Sequence, residues 1–440
     1  MDYQLLIAKA KEIGFSDIEI YVSSSRDLSI SLFKGEVDKN EFSNTSNISI
    51  RAIYDGKMAY LSLENINEDI DFVLDNLKNN AKSLTTEEEF EIYPGDENYP
   101  EVQPLNHDFN KYTNLDKINL LKKIESSIYD ADKRIKFVSH CNYIEDESAV
   151  QIINSKNLDV KQENAFCYIA VEAVATENED NQTGFEVSVK HRIDEFNADE
   201  ICKEVVEKAV SMLNAKSVKS GVYPVIIENK AMSNLFATFT SIFSGEAAIK
   251  KITPLLEKLG TQILSEKITI TDDPLNSEAI FKHPFDDEGV ACYKKDVVEN
   301  GVFKTFLHNL KTAKYFKAKS TGNGFKTGNN IGVSGTNLII QPGLTSIDEL
   351  IKNTDKGLLL TSFDGLHSGV NAISGDFSLK TAGYLIKNGV KVRPVTLIVV
   401  AGNFFKIMKN IEDIANDLKL GYNGIGSPSI KFNGLAISGE

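Results

Sequence analysis

The run ISIRAIYDGKMAYLSL, Ile48 to Leu63, is the strongest local constraint in the chain. Asp55-Gly56 separates two stretches of alternating apolar and polar residues, and such a dipeptide is the preferred centre of a tight two-residue hairpin. Turn signals of the same family crowd the last part of the chain: Asn300-Gly301, Gly322-Asn323-Gly324, Asn329-Asn330, Pro342-Gly343 and Asn388-Gly389. Alternating segments such as KDVVENGVFKTFLHN and GYLIKNGVKVRPVTLIVV lie between them. A β-rich, hairpin-connected region with a barrel-like sheet is the expected outcome.

Helical periodicity frames the earlier segments. Leu5, Leu6, Ala10 and Ile13 share one face of a helix from about Asp2 that Gly14 stops. Short strands follow, DIEIYVS from Asp17 and DLSISLF from Asp27. After the hairpin, Ile70, Val73, Leu74, Leu77 and Ala81 repeat at helical spacing, with Asn67 as the expected N-cap. Thr85 to Pro104 is acidic, carries three prolines and reads as a surface strap. A helix from Asn114, strand segments IKFVSHCNYIE, AVQIINS, LDVKQENAFCYIAVEAVAT and TGFEVSVKHRI, and a helix over Ala198–Leu213 come next. The polar stretch Glu177–Gln182 is the tip of the last hairpin. The third part opens with the strand GVYPVIIE and a helix from Asn229 through Phe243. The fold class is therefore α+β. Its expected units are an N-terminal α+β domain (1–84), an acidic linker (85–112), a central α+β domain (113–217) and a β-rich C-terminal domain (218–440).

Charge narrows the partners. With 48 basic and 63 acidic residues the chain carries −15 at neutral pH, and no basic cluster is read as offsetting it, which argues against a phosphate backbone as partner. No apolar run approaches the roughly 20 residues that span a bilayer. The N-terminus reads as an amphipathic helix, not a leader, so a cytoplasmic, non-membrane protein is expected. Cys141, Cys167, Cys202 and Cys292 lack CxxC spacing and suit free thiols in a reducing compartment.

Site chemistry is sparse. The six histidines, His107, His140, His191, His283, His308 and His367, include no close pair at ligand spacing. There is no GxxxxGK[ST], GxGxxG or GxSxG. The serines Ser320, Ser427 and Ser429 lack a matching base and read as loop residues. Asp286-Asp287-Glu288-Gly289 could offer hard oxygen ligands to a cation, or form a turn of solvated acids. His367 stands out in the Gly-rich stretch FDGLHSGVN.

PFDDEG (Pro284–Gly289), STGNG (Ser320–Gly324), GVNAISGDFSLKTAGYLIKNG (Gly369–Gly389) and RPVTLIVVAGNFFKIMKNIEDIANDL resemble the C-terminal region of the TldD/PmbA family. DIEIYVS, GEVD (Gly35–Asp38) and SIRAIYDGKMAYLS match its first region, in order and over nearly the whole chain. The family, historically labelled a modulator of DNA gyrase, is a metallopeptidase family whose TldD-like branch resembles a zinc enzyme with an HExxxH helix and a C-terminal cysteine ligand, and the resemblance implies a bacterial member of it. Here the corresponding window, Ser233–Thr238, contains no His, Glu or Cys, and no cysteine follows Cys292. SGDFS, GYLIKNG and AGNFF resemble the wording of the PmbA (TldE-like) branch.

The resemblance implies a subunit without catalytic residues, metal or cofactor of its own, joined as a heterodimer to a TldD-like partner that holds zinc. The complex would degrade or mature peptides and small unfolded proteins, and the isolated chain would form a homodimer. Substrate or interface contacts are expected from Asp286, Asp287, Glu288, Gly289, His367, Asn371, Gly375 and Asp376. A stand-alone homodimeric peptide-binding module and a hydrolase with an unrecognised site remain alternatives.

Overall fold

The computed structural model describes residues 1–64, 68–84, 91–328 and 330–440. The chain opens with Tyr3–Glu12 (α1), whose first turn is capped by Asp2 accepting from Leu5 N at 3.0 Å. Three strands follow: Phe15–Phe33 (β1), Glu36–Tyr54 (β2) and Lys57–Leu63 (β3). The Asp55-Gly56 hairpin forms as expected, with φ of 51° and 70°. Ile70–Ser83 (α2) is capped by Asp69; the expected cap, Asn67, lies outside the described residues. Asn114–Ala131 (α3) starts in a capping box between Thr113 and Asp116. Ile135–Asn154 (β4), Asp159–Glu177 (β5), Asp180–Lys190 (β6) and Ala198–Ser211 (α4) complete this half. The tip between β5 and β6 is the two-residue turn Asn178-Glu179, shorter than the polar stretch suggests.

DIEIYVS and DLSISLF are one 19-residue strand, and IKFVSHCNYIE and AVQIINS are one 20-residue strand. The six strands form a single sheet in the order β3-β2-β1-β4-β5-β6. Helices cover one face in two pairs. Ile18 and Ile20 of β1 pack under α1 and α2, whereas Leu28, Ile30 and Leu32 of the same strand pack under α3 and α4. The polar stretch between them, Ser23 to Asp27, crosses the gap between the two helix pairs, and its mid-strand neighbours on β4 are Asp146 to Val150. That gap explains why polar residues interrupt the pattern without ending the strand.

The C-terminal half begins with Gly221–Ile227 (β7), Asn229–Ala237 (α5) and Gly245–Ile249 (α6). The helix expected to reach Phe243 stops at Ala237. Thr238 ends it by donating its hydroxyl to Leu235 O at 2.7 Å, and Phe239 turns aside to stack on Phe404 at 4.1 Å. Next come Ile270–Asp272 (β8), Lys295–Glu299 (β9), Val302–Phe303 (β10) and Leu310–Phe316 (α7). They are followed by Gly324–Thr327 (β11), Asn330–Val333 (β12), Leu338–Ile340 (β13) and Ile347–Lys352 (α8). Lys356–Asp364 (β14), Asp376–Lys387 (β15), Val390–Asn403 (β16) and Phe404–Lys409 (α9) lead to the last strands. These are Ile411–Ile414 (β17), Lys419–Leu420 (β18), Ile425–Ser427 (β19) and Ile430–Ser438 (β20).

One sheet runs β10-β9-β8-β13-β19-β18. The other runs β16-β15-β14-β7-β20-β17, and β16 also pairs with β20, so five strands close on themselves. The barrel-like expectation holds. Val225, Ile227, Leu358, Leu360, Leu379 and Val400 fill the interior together with Met232, Leu235 and Phe236 of α5. The alternate residues Ile226, Leu359 and Ile386 face outward and are covered by Leu350 and Ile351 of α8. Asn300-Gly301 and Asn388-Gly389 are hairpin turns at positive φ. Gly322-Asn323-Gly324 and Pro342-Gly343 are not hairpins: Asn323 is buried, and Gly343 N donates to Ala415 O. Asn329 lies outside the described residues. Among these, no helix is long and apolar enough to cross a membrane.

Candidate functional site

The uncovered face of the N-terminal sheet meets the C-terminal half at the DDEG turn. The isolated Phe285–Ala291 bridge pins the turn's base, and Gly289 turns the chain at a φ of 80°. A Cβ there would lie 2.6 Å from Leu158 Cδ2, so the close approach of β4–β5 loop and turn requires glycine. The acids are not solvated, contrary to the turn reading from sequence. Asp286 is 1% exposed and Glu288 6%.

Their oxygens are taken by donors from distant segments. Asp286 Oδ1 accepts from Glu288 N and Val290 N, each at 3.0 Å, and Oδ2 accepts from Gly324 N at 2.8 Å. Tyr21 Oη donates to Asp287 Oδ1 at 2.7 Å, and Lys326 N donates to Oδ2 at 2.7 Å. Glu288 Oε2 accepts from Leu310 N, the first N–H of α7, at 2.7 Å. Tyr99 Oη donates to Gly289 O at 2.6 Å. This turn therefore joins sheet, strap, STGNG loop and α7. Lone pairs spent on N–H groups are not offered to a cation, and among the described residues no three His, Cys, Asp or Glu side chains form a metal-ligand group.

Electrostatics at the junction follow from burial. Burial, reinforced by Glu288, pushes the Asp286 carboxyl up to about 8, against the three N–H donors that pull it down. Glu288 is also raised, again by burial first. Lys326 Nζ sits 3.3 Å from the centroid of the Tyr21 ring, and burial brings its ammonium down to about 8. Arg51 pairs with Glu19 at 2.7 Å one strand away.

The STGNG motif is a buried support for the same region. Asn323 donates to Asp272 Oδ2 at 2.9 Å and to Ser334 O, and Lys295 Nζ reaches Asp272 Oδ2 at 2.9 Å. Burial raises the Asp272 carboxyl, but Lys295, Asn323 and Thr336 outweigh it and hold the group below its ordinary value. Ser320 and Thr321 donate to His308 O, which fixes the entry to α7.

Beside the turn lies a cleft of about 920 Å³. One wall is the strap, with Tyr93, Asp96, Glu97 and Pro100; the other carries Val290, Tyr293, Leu310 and Lys319. The strap's described part has no helix or strand, yet it is anchored. Ile92 is buried against Ile53 and Met58, Asn154 donates to Tyr93 O at 2.7 Å, and Asp96 Oδ2 accepts from Ala291 N at 2.7 Å.

The second group of sequence-chosen residues sits apart, in the loop from β14 to β15. His367 and Asn371 are exposed. Asn371 Oδ1 accepts from Ile373 N and Ser374 N, and Asp376 accepts from Asn403 Nδ2 and Ser374 Oγ. Gly375 lies against Phe405 at a φ of 83°. Among the described residues no hydrogen bond or ion pair joins this loop to the DDEG turn. Sequence reasoning missed Tyr21 and Tyr99, which carry no local signal, and it missed the lysines of α7.

In α5 and its cap the Ser233–Thr238 window supplies two hydroxyls, an amide and apolar side chains. Leu235 and Phe236 are wholly buried in the barrel core. Without imidazole, thiolate or carboxylate, this window does not fit a zinc ion.

Three family models match in succession: the PmbA/TldA metallopeptidase domain 1 at residues 18–81, central domain at 107–213 and C-terminal domain at 220–439. An uncharacterised protein of Methanocaldococcus jannaschii is 28% identical over the full length of both chains. The metalloprotease PmbA of Escherichia coli O157:H7 is 28% identical over 61% of this chain and 57% of its own. A crystal structure of a Thermotoga maritima protein described as a modulator of DNA gyrase superposes with a TM-score of 0.92, at 31% identity over 99% of both chains. TldE of Thermococcus kodakarensis superposes with a TM-score of 0.89, at 25% identity over 99% of this chain and 100% of its own. The chain belongs to the PmbA/TldD metallopeptidase family.

Proposed function

We propose that this chain is the zinc-free subunit of a two-component peptidase, shaping a chamber and holding peptide or unfolded substrate while a TldD-like partner supplies the metal and the hydrolytic step. The observation that carries it is the α5 window, where Leu235 and Phe236 belong to the barrel core and no side chain can serve as a zinc ligand. The DDEG turn and the loop around His367 would then shape and contact, not catalyse. The partner supports peptide cleavage in the cytoplasm, where the four buried free thiols stay reduced. Elemental analysis of purified chain should find no stoichiometric zinc. Peptide cleavage should be absent from the chain alone and appear, sensitive to EDTA, when a TldD-like protein is added. Tightly held zinc, or robust cleavage by the lone chain, would overturn the reading.

A subunit that contributes half a chamber needs a large complementary surface, on the order of 1,200–2,000 Å². In the partner's absence the same surface pairs with a second copy, since two-fold dimers are the commonest closed assembly. Light scattering of the isolated chain should report a homodimer formed mainly through residues beyond Gly221. A monomer at micromolar concentration would refute it.

A further inference from the structure

Charge is not spread evenly along this chain. Between Glu299 and Asp348 there are six lysines and no acidic residue, although acids outnumber bases 63 to 48 overall. Over this segment the lysines do form a basic cluster, contrary to the expectation from the acidic total. Lys304 pairs with Glu299 and Lys326 is spent on the Tyr21 ring. The other four, Lys311, Lys314, Lys317 and Lys319, are exposed on and just after α7. Among the described residues Lys311, Lys317 and Lys319 make no ion pair.

The helix that carries them is held rigidly. Thr312 and Ala313 face inward, Asn309 closes a capping box with Thr312, and Glu288 takes the N–H of Leu310. Lys311, Lys314 and Tyr315 share the outer face by their spacing, and Tyr315 is 63% exposed. Lys317 ends the helix in the left-handed conformation, and Lys319 lines the cleft opposite Asp96 and Glu97 of the strap. Tyr315 thus stands exposed on a fixed scaffold with Lys311 and Lys314 beside it at helical spacing, an aromatic and cationic surface.

We propose that the outer face of α7 and the adjoining Lys319 rim of the cleft bind an extended acidic polypeptide segment that bears an aromatic side chain. The strap itself is a precedent for the occupant. It is an acidic, tyrosine-bearing chain that forms the opposite wall and docks on the turn beside the lysine wall, with Asp96 on the Ala291 N–H and Tyr99 on Gly289 O. Its carboxylates make that wall repel anions, so a narrow peptide that reaches only the lysine wall fits where a nucleic acid duplex or a membrane surface does not. That the segment belongs to a substrate rests on the function proposed above; the binding does not.

Fluorescence anisotropy with the full chain tests it, using a short unstructured peptide that carries several glutamates and one phenylalanine. Binding should be about tenfold tighter than for the same peptide with glutamines, should weaken with salt, and should be abolished with lysines. The exposed triple variant Lys311→Glu/Lys317→Glu/Lys319→Glu, checked for folding by circular dichroism, should lose about tenfold. Equal affinity for the three peptides, an unchanged triple variant, or tighter binding of single-stranded DNA or anionic vesicles would overturn the proposal. Charge-dependent binding without partner-dependent cleavage would sink the proposed peptidase role and leave this one standing.

Discussion

Asp286 is the residue on which chemistry and stability meet. Its carboxyl stays protonated in the folded chain up to about 8, against an ordinary value of 3.8. Between those values the unfolded state binds fewer protons than the folded one, so the raised group favours folding below about pH 4 and costs stability progressively up to pH 8. Asp286→Asn removes the titration, while its loss of one acceptor is the same at every pH. The variant should therefore gain on the native protein between pH 5 and pH 8, by about 1 kcal/mol or more. Urea midpoints at the two pH values measure it. A constant difference would mean that the three N–H donors keep the carboxyl ionised throughout. The motif was visible in the sequence, but its burial was not, because the donors come from Gly324, Leu310, Tyr21 and Tyr99, each far away along the chain.

At the scale of elements, local signals were legible and long-range ones were not. Hairpins at Asp55-Gly56 and Asn388-Gly389 and the helices from Asn114 and Ala198 stand where turn chemistry and 3.6-residue periodicity put them. Strands β1 and β4 each look like a pair of strands in sequence, because a strand that serves two cores looks broken where neither helix pair covers it. The described part of the strap, 91–104, has no helix or strand, as its acids and prolines lead one to expect, but its docking carries no local signal. Tyr99 is the test of that docking, since its hydroxyl both donates to Gly289 O and accepts from Asp96 N at 3.0 Å. Tyr99→Phe gives up two hydrogen bonds, a loss of about 1–2 kcal/mol. Proteases should cut the native chain first between 85 and 104, and the variant faster at the same place, with the rest of the chain intact. Mass spectrometry of early fragments checks it; equal rates, or first cuts within 369–418, would count against this anchoring.

At the scale of the whole molecule, the N-terminal and central segments contribute their strands to one six-stranded sheet. The central segment, 107–213, matches a family model of its own, yet its core includes Leu28, Ile30 and Leu32 from β1. Its strand β4 also pairs with β1 from Asn154 opposite Glu19 to Cys141 opposite Leu32. Cutting the chain before 107 removes three buried aliphatic side chains, each contributing about 1.5–3 kcal/mol. It also leaves a long β4 edge without its partner. Against a typical net stability of about 5–15 kcal/mol, that loss is most of what holds such a unit together. A fragment of residues 107–213 should therefore show poorly dispersed amide resonances and no cooperative melt, whereas 1–213, which keeps the whole six-stranded sheet, should unfold in one sigmoidal transition. A dispersed spectrum and a sharp melt for 107–213 would mean that α3, α4 and three strands suffice. The shared sheet would then be a docking of two finished domains, not one structure.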